Sequence, residues 1–246
     1  MLCMTVLWLI SIRIKDASIV DAFWGPGFAI VAWIYFAFTN DVSMRKLAVC
    51  TLTTLWALRL GIHIFIRNHG KGEDPRYQVW RAEAGKSYWW YSFFKVFLLQ
   101  GIILIIVSAP LLGAQISPMT FPTPLDGIGI LLFMIGLFFE TVGDWQLKTF
   151  KTHHENKGKV MQTGLWKYTR HPNYFGDALV WWGFFCMAAA AGAWWTIYAP
   201  VVMTFFLMKV SGVALLEKAM SVRPGYKEYI ARTSAFFPWF PGPRNQ

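Results

Sequence analysis

Long apolar runs separated by short polar segments constrain this chain more than any other feature. Because a membrane-spanning helix needs about 20 apolar residues, these runs predict about seven spans. They cover residues 1–14, 19–39, 46–67, 88–113, 125–147, 176–192 and 194–215. Only 15% of the 246 residues are charged, against about a quarter in soluble domains. A bilayer cannot hydrogen-bond the backbone, so the fold class that we predict is all-α and polytopic.

Most of the basic residues cluster between the apolar runs. Lys and Arg concentrate in residues 67–87, 148–170 and the tail from 218, whereas residues 114–124 contain none. Basic loops stay on the cytoplasmic side of a cell membrane. We therefore expect a multi-pass protein, in a bacterial inner membrane, with its N-terminus outside and its C-terminus cytoplasmic. The net charge of +10 is explained by topology, so we expect no nucleic-acid partner.

The three cysteines do not suggest a metal centre. Cys3, Cys50 and Cys186 each lie in an apolar run, and no CxxC pair occurs. We expect small buried side chains and no metal. The chain is interpreted as one membrane domain, 1–246, whose substrate-side part is 1–123 and whose second part is 124–246.

Several ionisable residues lie within the predicted spans, where a functional role is the first hypothesis. Asp21 lies near the start of the second span, and His63 shares a helix face with Arg59. Glu140 and Asp144 are four residues apart, and the same face continues to Lys148 and Lys151. This ladder is also compatible with a stripe of ion pairs within one helix.

The segment "RNHGKGEDPRY", residues 67–77, brings two acids close to a cation and a phenol. Glu73 and Asp74 precede Arg76 and Tyr77, and two glycines allow tight turns before them. Such a group can form a polar site or a hydrogen-bonded surface network. The residues alone leave both interpretations open.

The segment "GLWKYTRHPNYFGD", residues 164–177, combines cations, aromatic rings and amides. Pro172 suits the first turn of a helix. Arg170 and His171 offer donors, Tyr168 and Tyr174 offer ring faces, and Asn173 and Asp177 offer groups that bind hydroxyls. Cations with aromatic rings suit a nucleotide that carries phosphates. No GxGxxG motif occurs, so a Rossmann fold is not indicated.

The stretch from Glu140 to Pro238 resembles the C-terminal domain of steroid 5α-reductases and of the sterol C14 and C7 reductases. The resemblance rests on "ExxxDxxLKxFK" at 140–151, on Gly158, on the 164–177 motif and on the later Glu217, Tyr226 and Tyr229. Over its whole length, including "DASIVDAFWG" and "GEDPRY", the chain resembles the bacterial DUF1295 branch of this family.

The resemblance implies a seven-helix membrane enzyme that reduces activated C=C bonds with NADPH. Asp144, Lys151, Asn173 and Asp177 match family positions that hold the nucleotide, and Glu140 stands where the steroid enzymes have asparagine. The surplus of Lys and Arg in residues 148–170 favours NADPH over NADH. The complete set of expected cofactor-binding residues is Glu140, Asp144, Lys148, Lys151, Trp166, Tyr168, Arg170, His171, Asn173, Tyr174, Asp177, Glu217, Tyr226 and Tyr229.

The N-terminal half departs from the steroid enzymes. His63 and Arg67 match family positions, but Ile64 replaces a tyrosine, and no Gln-Glu pair occurs in the second span. The expected substrate is therefore another lipophilic molecule, steroid- or isoprenoid-like, alongside membrane lipids. The expected catalytic donors are Tyr77, Glu73 and Asp74, with Asp21 and His63 behind them.

Two other classes of function remain as alternatives to a reductase. Isoprenylcysteine carboxyl methyltransferases share "RHPxY" and a late glutamate, and they bind S-adenosylmethionine. A non-enzymatic lipid-binding membrane protein would bind no nucleotide. A transporter is disfavoured because the chain shows neither an inverted repeat nor paired broken helices. The sequence leaves the oligomeric state open.

Overall fold

The computed structural model describes residues 1–39, 42–116, 121–210 and 212–243. Within these ranges every regular element is helical, and strand-like pairing is limited to a single parallel bridge between Thr169 and Ser234. The predicted all-α class is therefore confirmed. The chain forms two compact units, Met1–Pro118 and Met119–Gln246.

Unit 1 begins with three helices of increasing length. They are α1 (Leu2–Ile14), α2 (Ile19–Phe38) and α3 (Met44–Asn68). After α4 (Pro75–Ala84), a nearly continuous helical stretch consists of α5 (Tyr88–Ser92), a π-helical turn (Phe93–Leu98), α6 (Leu99–Val107) and α7 (Ala109–Gly113).

Helices α2 and α3 approach closely at two glycines. A Cβ atom added to Gly25 would lie 2.8 Å from the carbonyl oxygen of Ala57. One added to Gly61 would lie 2.9 Å from the ring of Pro26. Small residues let membrane helices pack backbone against backbone, which replaces the hydrophobic driving force that lipid does not supply.

Unit 2 is built on two long helices, α8 (Pro124–Thr152) and α9 (Pro172–Ala190). Thr123 and Asp126 form a capping box that begins α8, which satisfies backbone donors that a helix start leaves unpaired. The unit continues with α10 (Tyr198–Phe205), a π-helical turn (Phe206–Val210), α11 (Val213–Met220) and α12 (Tyr226–Arg232).

Two glycine pairs hold α8 and α9 together. A Cβ atom on Gly136 would lie 2.5 Å from the carbonyl oxygen of Gly176, and one on Gly129 would lie 2.7 Å from that of Gly183. Real Cβ atoms are essentially never found so close to another atom. The contact therefore depends on glycine at all four positions. It brings the last turns of α8 beside the first turn of α9.

Five stretches are long and apolar enough to cross a bilayer, fewer than the seven predicted spans. They are Ile19–Phe38, Met44–Asn68, Pro75–Gly113, Pro124–Thr152 and, residue 211 aside, Trp194–Met220. Helix α1 has 13 residues, or about 20 Å at 1.5 Å per residue, which is short of a bilayer core of about 30 Å. Helix α9 opens on a polar motif and is mostly buried by protein. The count of seven and the orientation stay predictions.

The segment 67–87, which we expected to be a loop, contains helix α4. Asp74 accepts a hydrogen bond from the backbone N–H of Arg76, and Pro75 occupies the first helical turn. A capping acid followed by proline is a helix start signal. The strongly polar sequence of α4 hides it from a search based on apolar periodicity.

Candidate functional site

Glu73 links the start of α4 to the start of α2. Its Oε1 accepts hydrogen bonds from the backbone N–H of Ala17 at 2.8 Å and from Nη2 of Arg81 at 2.7 Å. Arg81 Nε also donates to Oε2 at 2.8 Å, and the Glu73 side chain is only 7% exposed. Bidentate contacts between an arginine and a carboxylate fix the orientation of both side chains and also add electrostatic stabilisation. The geometry explains Glu73 as an anchor of the segment before α4.

Asp21 is held by two neighbours in the first turn of α4. Tyr77 donates its hydroxyl to Oδ1 at 2.7 Å, and Arg76 Nη2 donates to Oδ2 at 2.8 Å. Arg76 Nε also donates to Asp74 at 2.9 Å. Burial works to raise the pKa of Asp74, but the hydrogen bonds and charge of Arg76 outweigh it and lower that pKa. Asp74 is therefore a carboxylate at neutral pH.

The sequence left open whether residues 67–77 form a polar site or a hydrogen-bonded network, and the structure shows the network. We call Asp21, Glu73, Asp74, Arg76, Tyr77 and Arg81 the unit-1 polar cluster. Gln100 lies 3.4 Å from the Tyr77 hydroxyl, whereas His63 lies half-buried near the end of α3. Catalytic roles for the five predicted residues stay predictions.

In unit 2, Asn173 joins α9 to α8. Its Nδ2 donates to Oδ1 of Asp144 at 3.0 Å. The Oδ1 atom of Asn173 is buried and has no hydrogen-bond partner among the described residues. Asp144 and Glu140 are 8% and 3% exposed on the adjoining face of α8. An unsatisfied buried acceptor is rare in native proteins, and a ligand group or an ordered water can satisfy it.

Arg170 fastens the C-terminal tail to the start of α9. Its Nε donates to Glu217 at 2.7 Å, and its Nη1 donates to the carbonyl oxygens of Ile230, at 3.2 Å, and Thr233. The residue is 7% exposed. The sequence suggested Arg170 as a cation for phosphate, but Nε and Nη1 are engaged inside the protein. The structure explains this arginine by its hold on the tail.

His171 lies between Glu217 and Tyr174. Its Nε2 is 3.3 Å from Glu217 Oε1, and its ring stacks on Tyr174 with centroids 5.7 Å apart. Burial lowers the pKa of His171 to about 4, although Glu217 acts in the opposite direction. The imidazole is therefore neutral at physiological pH, so it can both accept and donate a hydrogen bond.

Trp166 and Tyr229 connect the 3₁₀ turn before α9 to both α8 and α12. Trp166 Nε1 donates to the carbonyl oxygen of Gly143 at 3.0 Å, and Tyr229 donates its hydroxyl to the carbonyl oxygen of Trp166 at 2.5 Å. Burial raises the pKa of Tyr229 and of Tyr226, so both phenols stay protonated. Their contacts place these three residues in the scaffold of the site.

Three predicted residues are accessible around this scaffold. Lys148 and Lys151 are exposed in the last turns of α8. Tyr168 is 37% exposed, and Lys167 Nζ lies 5.8 Å from the centre of its ring. Lys148 is one turn beyond Asp144 on the same helix face. Exposed cations and a ring face thus lie in the same segments of unit 2 as the Asn173–Asp144 pair.

The structure brings six of the fourteen predicted nucleotide residues into two contact groups in unit 2. One contains Asp144 with Asn173, and the other contains Arg170, His171, Tyr174 and Glu217. Tyr226 lies beside Arg170, and Asp177 is half-buried one turn after Asn173. Sequence reasoning missed Gln146, whose Oε1 accepts a 3.0 Å hydrogen bond from the backbone of Leu165. It also missed Arg81 as the partner of Glu73, because the segment between them was expected to be a loop and not a helix.

Comparisons with known proteins give one full-length family match and two relatives. A 25% identical, uncharacterized protein of Schizosaccharomyces pombe aligns with 96% of this chain and 77% of its own length. A probable O-methyltransferase, ustE, of Ustilaginoidea virens is 26% identical over 140 residues. That match covers 57% of this chain and 45% of the relative, so it spans less than half of that protein. No solved structure matches the chain.

The family match runs from residue 7 to residue 233 and so includes the unit-1 polar cluster and both contact groups of unit 2. It confirms the family resemblance in its DUF1295 part. The chain belongs to the DUF1295 family, which is described as a protein of unknown function.

Proposed function

We propose that this protein is a membrane-embedded NADPH-dependent reductase of an activated C=C bond in a lipophilic, steroid- or isoprenoid-like substrate. The observation that carries the proposal is the Asn173–Asp144 pair, which joins α9 to α8 at 3.0 Å and leaves Asn173 Oδ1 buried without a partner among the described residues. Amide and carboxylate groups in such a position suit the hydroxyls and amide of a dinucleotide.

The residues of unit 2 fit a dinucleotide in three respects. Lys148 and Lys151 are exposed cations for phosphate oxygens, and Tyr168 offers a ring face for a base. The pair Asn173–Asp144 offers both a donor and acceptors. Arg170, with two nitrogens engaged by Glu217 and the tail, is proposed to position the motif rather than to contact phosphate.

When bound, NADPH supplies a hydride to the β-carbon of an electron-poor alkene. The protein's contribution is to hold the reacting carbons about 3–3.5 Å apart and to exclude water. A hydrogen-bond donor must also face the carbonyl oxygen, where negative charge develops. Tyr77 is our proposed donor. Its single hydroxyl proton goes to Asp21 at 2.7 Å in the structure, so the proposal requires the hydroxyl to turn from Asp21 to the carbonyl oxygen when substrate binds. A proton must also reach the α-carbon to complete the reduction.

A membrane methyltransferase is the second candidate, favoured by the match to the probable O-methyltransferase of Ustilaginoidea virens. S-adenosylmethionine has no phosphates, so it would not need the exposed lysines that end α8. The two candidates therefore differ in a measurable way. A non-enzymatic lipid-binding protein would bind neither cofactor.

Calorimetry on the purified protein in detergent can separate these possibilities, with NADPH, NADH and S-adenosylmethionine measured side by side. We expect NADPH to bind most tightly, and Asn173→Ala and Lys148→Ala each to weaken it by roughly tenfold, the value of one good polar contact. Lys86→Ala, an exposed lysine of unit 1, is the matched control and should change nothing. Binding of S-adenosylmethionine alone would establish the methyltransferase instead.

Turnover tests the donor separately from the cofactor. With an enone substrate found by screening, Tyr77→Phe should reduce kcat by about 10²- to 10⁴-fold, the usual contribution of a positioned proton donor. NADPH affinity should remain unchanged. Unchanged turnover would remove Tyr77 from the mechanism and leave the reductase proposal standing on the binding data.

A further inference from the structure

The C-terminal tail forms a groove at the end of α12. The groove has a volume of about 360 Å³ and is lined by residues 230–234 together with Trp239 and Phe240. The tail turns back over the helix end, because the backbone N–H of Gly242 donates to the carbonyl oxygen of Arg232 at 2.9 Å. Trp239 N–H is likewise held by the carbonyl oxygen of Tyr168 at 2.9 Å. Backbone contacts thus fix the groove at both ends.

Arg232 gives the groove a partly unsatisfied cation. Its Nη2 donates to Gln162 at 2.8 Å, but its Nε is buried and has no hydrogen-bond partner among the described residues. A guanidinium N–H without water or acceptor is unfavourable, and an anionic oxygen would satisfy it with a charge-assisted hydrogen bond. Thr233 and Ser234, which also line the groove, carry hydroxyls that can bind the same anion.

The surroundings of Arg232 are typical of a membrane interface. Phe237, Trp239 and Phe240 are 63%, 72% and 79% exposed. Aromatic residues are enriched where a protein crosses the headgroup region, and Lys and Arg attract anionic lipids there. Residues 221–243 contain three cations, Arg223, Lys227 and Arg232, but only one acid, Glu228. The tail therefore combines a net positive charge with apolar side chains that lipid can cover.

We propose that this groove binds the phosphate of an anionic phospholipid headgroup. The Arg232 side chain turns toward the groove, so that its buried Nε becomes accessible and donates to a phosphate oxygen, while Trp239 and Phe240 lie among the headgroups. The groove shares no lining residue with the Asn173–Asp144 pair, and the proposal does not depend on the proposed reductase function. Its consequence would be a preference of this protein for anionic lipid.

The test is lipid binding to the full-length protein in neutral detergent. It is measured as the rise in unfolding temperature caused by short-chain phosphatidylglycerol or by short-chain phosphatidylcholine. We expect phosphatidylglycerol to bind better, and Arg232→Gln to weaken it by roughly fivefold or more, which is the effect of one basic residue at an anionic surface. Arg223→Gln removes an equal charge from an exposed position of the same tail, outside the groove lining, and should weaken the preference clearly less than Arg232→Gln does.

A second variant keeps the proposal testable if Arg232→Gln fails to fold. Ala231 is exposed and lines the groove, so Ala231→Glu adds a negative charge while keeping Arg232 and its contact with Gln162. It should abolish the preference for phosphatidylglycerol. An undiminished preference in Ala231→Glu would overturn the proposal.

Two further ligands distinguish the source of the phosphate. Inorganic phosphate should stabilise the protein far less than phosphatidylglycerol. Equal stabilisation that Arg232→Gln removes would assign the groove to a free anion and overturn the lipid proposal. Displacement of one phosphatidylglycerol by one NADPH would assign the groove to the nucleotide, with the same consequence. If the protein binds no NADPH at all, the lipid result is unaffected.

Discussion

Gly176 of α9 lies against Gly136 of α8 so closely that a Cβ atom on Gly176 would be 2.5 Å from the carbonyl oxygen of Gly136. The obstacle is backbone, which cannot move aside as a flexible side chain can. Helix α9 must therefore shift to accept any larger residue. That shift would also displace the first turn of α9, which carries Asn173.

We predict that Gly176→Ala destabilises the protein in detergent by about 2 kcal/mol or more, as overpacking of a tight contact does. The matched control is Gly127→Ala, in the neighbouring helix α8, where an added Cβ atom meets nothing within 4 Å. That variant should be neutral or slightly stabilising, since alanine favours helices. Equal thermal stabilities of the two variants would contradict the packing described above.

The second prediction concerns pH and His171. Burial lowers the pKa of His171 to about 4, whereas an exposed histidine titrates near 6.5. The unfolded chain therefore takes up this proton first as pH falls. Stability from the neutral imidazole is fully present above pH 6.5 and is lost between pH 6.5 and about 4, amounting to on the order of 3 kcal/mol.

Unfolding of the wild type and of His171→Gln, followed from pH 7.5 to pH 4, checks this loss. The variant should show a flatter profile through that window, because glutamine does not titrate. Glu217 and Arg170, which face His171, remain in both proteins. Parallel profiles would show that His171 is not the group responsible.

A third prediction follows from the hold of Arg170 on the tail. Arg170→Lys keeps the charge but cannot reproduce the contacts with Glu217, Ile230 and Thr233 at once. We expect a loss of about 1–3 kcal/mol, because buried carbonyl oxygens that Arg170 now satisfies would be left without a donor. We also expect faster cleavage by trypsin after Lys227 and Arg232. Arg223→Lys, the same exchange at an exposed position, should leave both measurements unchanged.

The fourth prediction concerns Glu73 and Arg81, which are joined by two hydrogen bonds of 2.8 and 2.7 Å. A double-mutant cycle with Glu73→Gln and Arg81→Gln should give a coupling energy of about 1–3 kcal/mol. NADPH affinity should be unaffected, because this pair anchors unit 1. A coupling energy near zero would show that the contact is not maintained in solution.

The sequence was sufficient to predict the all-α class, because long apolar runs are a direct signal of membrane helices. It placed the Pro172 start of α9 correctly, since proline followed a polar, non-helical motif. It did not reveal α4, whose start signal, Asp74 before Pro75, is chemical and local. The number of spans stays a prediction, because α1 and α9 lie outside the five stretches that are long and apolar enough to cross a bilayer and apolar composition does not distinguish burial by lipid from burial by protein.

The sequence identified residues that belong to the candidate site better than it identified the role of each residue. Asp144 and Asn173 were expected to bind the same ligand, and they are in contact. Arg170 looked like a free cation, because a sequence does not show that Glu217 and two tail carbonyls lie within its reach. The glycines of α8 and α9 were visible in the sequence, but their seven-residue spacing gains meaning only when the two helices are paired.

The glycine pairs also determine where residues can be inserted in unit 2 without separating Asp144 from Asn173. Gly129 and Gly136 are seven residues apart in α8, as are Gly176 and Gly183 in α9, and such spacing fixes the register of two wrapped helices. The separation of Asp144 and Asn173 is then set by helix register and not by the connection between α8 and α9. Residues could be added to that connection while the pair stays intact. One residue inserted into α8 between Gly136 and Asp144 would rotate the carboxylate by about 100° around the helix and separate the two groups.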